Sequence, residues 1–115
     1  MRNIIPIMEN LVENTNAEAA IMVNKEGLPI HSINIDDEDR LAVLISSLQS
    51  IGKKFTENIK NVPEGKFYIK TSKGYILLQD INDDVSLCLI SGEDAKLGLL
   101  MLYFESTVKE LAEAL

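Results

Sequence analysis

The stretch from Asp36 to Lys60, DDEDRLAVLISSLQSIGKKFTENIK, constrains this chain more than any other. It has no proline and one glycine. Leu41, Leu44, Ile45, Leu48, Gly52, Phe55 and Ile59 recur at helical spacing and form one broad apolar stripe. Four acids, Asp36 to Asp39, open the segment. There they can cap free N–H groups and face the positive end of a helix dipole. Lys53, Lys54 and Lys60 stand near the other end, where cations are favoured. Away from the stripe the helix carries Ala42, Val43, Ser46, Ser47 and Ser50, where a solvated helix would usually carry Glu, Lys or Arg. Two readings fit. One is a solvent face of short side chains. The other is a helix buried on two sides, with its own sheet below and a second helix above.

The 115 residues make one domain, 1–115, long enough to bury roughly two-thirds of its unfolded surface without a covalent staple. A single cysteine excludes an internal disulfide and any multi-cysteine metal site. It fits a reducing, cytoplasmic setting. The net charge of −7 argues against nucleic acid or an anionic membrane as the main partner. The strongest apolar run, Leu97 to Phe104, is far shorter than the roughly 20 residues of a membrane helix. Glu9 and Glu13, with no small-residue cleavage site, argue against a signal peptide at MRNIIPIMENLVEN.

Residues 4–14 predict a short amphipathic helix, with Ile4, Ile7, Met8, Leu11 and Val12 on one face and Pro6 in the first turn. Residues 18–35 predict a β-hairpin around Asn24-Lys25-Glu26-Gly27, with Pro29 restricting its second strand to an edge or a strand start. After the long helix, 61–65 is a loop by composition. Residues 66–91 then give three strands joined by short turns at Lys73-Gly74 and Asn82-Asp83-Asp84, which forces antiparallel neighbours. The last of these is apolar on both alternating sets, so it belongs in the middle of a sheet. The first carries Lys66, Lys70 and Lys73, which suits an edge. Ser91 is a candidate cap for a final helix whose first half, LGLLMLYF, should be deeply buried and whose tail should lie on the surface. The order α-β-β-α-β-β-β-α predicts an α+β domain. It is a five-stranded antiparallel sheet with the long helix on one face and the terminal helices on the other.

Catalytic chemistry needs convergent titratable groups. The chain has one histidine, one cysteine and no tryptophan. His31 lies in a strand, Cys88 in the predicted central strand, and Asp80, Asp83 and Asp84 form a polar turn without a calcium-loop spacing. Arg40 stands among Asp37, Glu38 and Asp39, where ion pairing accounts for it. No phosphate-binding glycine loop and no metalloprotease motif is present. The residues point to packing and assembly, with no catalytic group, metal ligand or cofactor site.

The hairpin AAIMVNKEGLPIHSIN resembles the signature first hairpin of the Roadblock family, and YILLQDINDDVSLCLI followed by a helix opening with Leu and Gly resembles its C-terminal half. The likeness spans essentially the whole chain. The N-terminal helix separates it from the longin fold. In bacteria and archaea, free-standing members resemble the MglB-type partner of a Ras-like GTPase. For these the resemblance implies a homodimer, or a higher oligomer, that binds a small Ras-like GTPase near its switch regions. It further implies faster hydrolysis without a donated arginine. The middle helix departs from the family in carrying serines where many relatives are alanine-rich.

Three functions compete. The first is a non-enzymatic regulator or scaffold for a small Ras-like GTPase. The second is a structural assembly subunit like the light chains of motor complexes. The third is a small-ligand sensor. For the first, the expected dimer joins two middle helices through Ala42, Val43, Ser46, Ser47 and Ser50, and pairs the strand of Phe67, Ile69 and Thr71 with its symmetry mate. The expected GTPase-binding line is Arg40, Val43, Ser47, Ser50 and Lys54.

Overall fold

The computed structural model describes residues 3–59 and 66–115. Lys60 and the loop expected at 61–65 lie outside the described residues. The elements run α1 (Ile4–Thr15), β1 (Ala19–Asn24), β2 (Pro29–Ile33), α2 (Glu38–Asn58), β3 (Lys66–Thr71), β4 (Gly74–Asp80), β5 (Val85–Ile90) and α3 (Leu97–Ala114). The five strands form one sheet in the order β2-β1-β5-β4-β3, with every neighbouring pair antiparallel. The α+β order and the single sheet match the reading of the sequence.

Alternation along the strands divides the core in two. On one face Ala20, Met22, Leu77, Leu87 and Leu89 meet Met8 and Leu11 of α1 and Leu100, Phe104 and Leu111 of α3. On the other, Ile21, Val23, Leu78 and Cys88 meet Ala42 and Ile45 of α2. β5 is apolar on both sides because both of its faces are covered, and it sits at the centre of the strand order. The first hairpin closes on Gly27 with φ 81°, a left-handed conformation that favours glycine. Asn24 holds that turn, its Oδ1 accepting from the N–H groups of Glu26 and Leu28, both at 3.0 Å.

Two expectations about the C-terminal helix are overturned. Ser91 does not cap it. Ser91 Oγ accepts from the Tyr75 N–H at 3.2 Å, and Ser91 N–H donates to the Tyr75 carbonyl at 2.9 Å. The residue thus extends the β4–β5 pairing, and the helix begins at Leu97 with Lys96 at its cap position. The burial of α3 is also not graded from front to back. Its early half exposes Leu99, Leu102 and Tyr103, while Thr107, Val108, Leu111 and Ala114 are buried in its tail. α1 packs beside α3 in one shared core, and that core includes Val108, Leu111 and Ala114 of the tail.

Candidate functional site

α2 is one uninterrupted 21-residue helix. Asp37 caps it, with Oδ1 accepting from Arg40 N–H at 3.2 Å, and Glu38 and Asp39 occupy the first turn. Its buried line is Ala42, Ile45 and Gly52. The apolar stripe read from sequence runs through Leu41, Leu48 and Phe55. The observed line is rotated from it by roughly 60° about the helix axis at 100° per residue.

Three contacts cause the rotation. Ala42 is fully buried against the sheet because its methyl group lets the helix approach closely. It is therefore not part of the outer face on which the sequence reading placed it. Gln49 is drawn inward because its amide finds partners: Nε2 donates to Asp80 Oδ1 at 2.6 Å and to Ser86 Oγ at 3.2 Å. Ser86 Oγ in turn donates to Asp80 Oδ1 at 2.7 Å. Only the donor side of this amide is satisfied: Gln49 Oε1 is buried with no hydrogen-bond partner among the described residues, a desolvation cost that the two Nε2 bonds offset. Gly52 lies against the Phe67 ring of β3, where a Cβ would stand 1.7 Å from the Phe67 Cζ atom.

The rotation turns apolar side chains outward. Leu44, Ile51 and Phe55 are 58%, 54% and 60% exposed, and Leu48 between them is half-buried. Their spacing, 44-48-51-55, is the four-three-four step of a coiled-coil seam. Ile59, also assigned to the buried stripe from sequence, is exposed. Sequence reasoning missed Ile51 altogether, although this heptad step was the signal that could have found it.

A second line runs beside the seam. Arg40, Val43, Ser47, Ser50 and Lys54 are all exposed and step by three and four along the helix. Ser46 is turned further round, toward the β1–β2 turn, where its Oγ donates to the Lys25 carbonyl at 3.0 Å. On this side a cleft of about 660 Å³ opens between α2 and the turns, lined by Lys25, Ser46, Ser50, Lys53, Asp80 and Asp83 among others. The long helix therefore presents two adjacent surfaces, an apolar seam and a polar line bordering a cleft.

β3 is one edge of the sheet. Phe67, Ile69 and Thr71 point to the α2 side by alternation: Phe67 is half-buried on Gly52, and Ile69 and Thr71 are exposed. On the opposite side Tyr68 Oη reaches Glu105 Oε1 at 3.4 Å. Partial burial, then the Glu105 charge and that hydrogen bond, raise the Tyr68 pKa above its ordinary value. The residues named for catalysis and discarded stay apart from one another. His31 is half-buried in β2, and Cys88 is buried in β5, which pushes its thiol up to about 12. Among the described residues no group of three His, Cys, Asp or Glu side chains could hold a metal ion. No helix among them is long and apolar enough to cross a membrane.

Layer order, sheet and paired terminal helices define a small three-layer α+β module whose exposed features are a helix seam and a sheet edge. The chain belongs to the Roadblock/LC7 domain family, whose model matches residues 7–91. No curated protein matches it significantly in sequence. Among solved structures it is similar to Myxococcus xanthus MglB, with TM-score 0.90 and 21% identity over 96% of this chain and 93% of that one. It is similar to the gliding protein MglB of Thermus thermophilus, with TM-score 0.87 and 16% identity over 96% and 86%. It also resembles an MglB described in a tetrameric arrangement, with TM-score 0.87 and 16% identity over 96% and 85%. At these identities the likeness establishes the fold. Fold and family together place the chain among Roadblock-type regulators and adaptors.

Proposed function

We propose that this chain is a non-enzymatic scaffold that forms a symmetric homodimer and binds a small Ras-like GTPase, preferring its GTP state. The observation that carries the reading is the separation of two surfaces on α2. The seam Leu44-Leu48-Ile51-Phe55 is apolar, exposed and spaced for helix pairing, and it belongs to the helix whose Gly52 packs on the edge strand β3. A two-fold axis that pairs two such seams and two β3 edges buries both features at once and is self-complementary. Val43, Ser47 and Ser50 then flank the helix pair, and Ala42 takes no part. The tetrameric arrangement of one MglB relative supports assembly beyond the dimer.

The polar line of Arg40, Val43, Ser47, Ser50 and Lys54 stays free beside the cleft and faces the GTPase. Preference for the GTP form follows if this line contacts switch loops that the γ-phosphate orders. Any acceleration of hydrolysis then comes from repositioning the GTPase's own groups.

The test is affinity capture from native lysate on the immobilised chain, with a non-hydrolysable GTP analogue in one arm and GDP in the other. The expected result is a Ras-like GTPase enriched in the first arm, and weaker capture by Ser47→Glu. Equal recovery in both arms favours the plain assembly subunit instead. With a GTPase in hand, Arg40→Ala should lower any acceleration modestly and in step with binding. A loss on the order of 10³ or more at unchanged affinity would make Arg40 an inserted catalytic arginine.

A further inference from the structure

The sheet has a second edge. Among the described residues β2 pairs only with β1, so the main-chain groups on its outer side have no strand partner there. Natural edges are usually blunted by lysine, proline, bulges or a covering element. Here Pro29 and a register shift opposite Met22 and Val23 blunt only the start of the strand. From Ile30 to Ile33 it carries no lysine or arginine. Leu28, just before the strand, is 59% exposed and Ile30 43%.

The charge around this edge is predominantly acidic. Ser32 pairs with Ile21, which faces α2, so Ser32 looks toward the start of the long helix, while Ile30, the residue skipped by the register shift, stands exposed beside it. Ser32 Oγ donates to Glu38 Oε2 at 2.6 Å and fixes that start above the strand. Around it, Asp36, Asp37 and Asp39 are exposed, and Glu26 is exposed on the turn that leads into β2. Five acids thus stand against two cations, Lys25 and Arg40.

We propose that β2 receives an extended basic segment of a partner protein as a sixth strand of the sheet. Main-chain hydrogen bonds to Ile30–Ile33 supply the attachment, as in other cases of strand addition to an exposed edge. Alternation puts every second side chain of the segment on the α2 side. An apolar residue there covers Ile30. A lysine or arginine two positions away lies beside Ser32 and reaches the carboxylates at the start of α2. Charge complementarity sets the partner's sign and speeds its arrival. The GTPase reading is not needed for this inference: in the proposed dimer the β3 edge is consumed and the β2 edge is left open.

The experiment uses a fluorescein-labelled nine-residue peptide with lysine, valine and lysine at alternate positions on a threonine background. Binding is read by anisotropy and mapped by backbone amide shifts on the intact chain. The expected result is saturable binding with shifts centred on Leu28–Ile33. Three changes should each weaken it by about tenfold: glutamate in place of the lysines, N-methylation of the peptide's main-chain donors, and salt raised to roughly 0.5 M. Asp36→Asn combined with Asp39→Asn should weaken it several-fold while Asp37, the helix cap, stays in place. Equal binding of the N-methylated peptide overturns strand addition and leaves a mere surface-charge effect. Shifts centred on the α2 seam or on β3, or no saturation, overturn the assignment to β2.

Discussion

Single residues decide how closely the layers approach. Gly52 is the sharpest case, because a methyl group there collides with the Phe67 ring. Gly52→Ala should destabilise the chain by about 1–3 kcal/mol even though alanine favours helix, because overpacking outweighs propensity. Chemical denaturation checks it, and an unchanged or raised midpoint would show that the ring moves aside freely. Cys88 gives a pH signature. Burial raises its thiol from 9.0 to about 12. Between those values the unfolded chain carries a thiolate and the folded chain a thiol, so the contribution is complete below pH 9 and is lost as pH rises. Stability should fall by up to about 1.4 kcal/mol per pH unit more steeply than in Cys88→Ala, as read by urea titrations. The native thiol should also resist alkylation near pH 8, reacting only as fast as the protein opens.

At the scale of the element, α2 is a helix of which the sheet covers only part. Leu48 is half-buried at the margin of the α2-side core, so Leu48→Ala should cost about 2 kcal/mol, the low end for a leucine truncation. Ile51 is 54% exposed on the single chain, so Ile51→Glu can keep its carboxylate in water there. It should leave the helical circular dichroism unchanged and disrupt self-association, because pairing the seam would bury an unpaired charge. Light scattering distinguishes the two: a dimer mass retained by Ile51→Glu would mean that the seam is merely solvent-exposed. α3 makes the complementary point, since its more apolar half exposes Leu99, Leu102 and Tyr103 while its tail buries Val108, Leu111 and Ala114. Neighbours, and not composition, decide which turns of a helix are covered.

At the scale of the molecule, the exposed seam and the β3 edge lead to one expected assembly. At tens of micromolar, light scattering should give the mass of two 12.8 kDa chains. Amide exchange adds a finer test. Phe67, Ile69 and their neighbours lie on an edge strand, and their outward N–H groups should be protected only when β3 pairs across the two-fold axis. In Ile51→Glu that protection should disappear while β1 and β5, central in the sheet, keep theirs. Protection of β3 that survives in a monomeric variant would remove strand pairing from the assembly.

The sequence by itself determined the elements, their antiparallel pairing, the central place of β5 and the edge place of β3, and left β2 either an edge strand or one that starts at Pro29. These follow from local periods, short turns and proline or lysine placement, all of which act within a few residues. The turn at Gly27 and the cap region at Asp36 to Asp39 were legible for the same reason. The tertiary structure alone decided the rotation of α2. A stripe spaced over about 100° of helix fits a sheet in more than one rotation. The choice fell to partners distant in sequence: Asp80 and Ser86 for Gln49, Lys25 for Ser46 and Phe67 for Gly52. With Ala42 close against the sheet, those contacts leave Leu44, Ile51 and Phe55 exposed. They moved the candidate interface by roughly 60° about the helix axis, and the apolar side chains turned outward are the ones the proposed dimer covers.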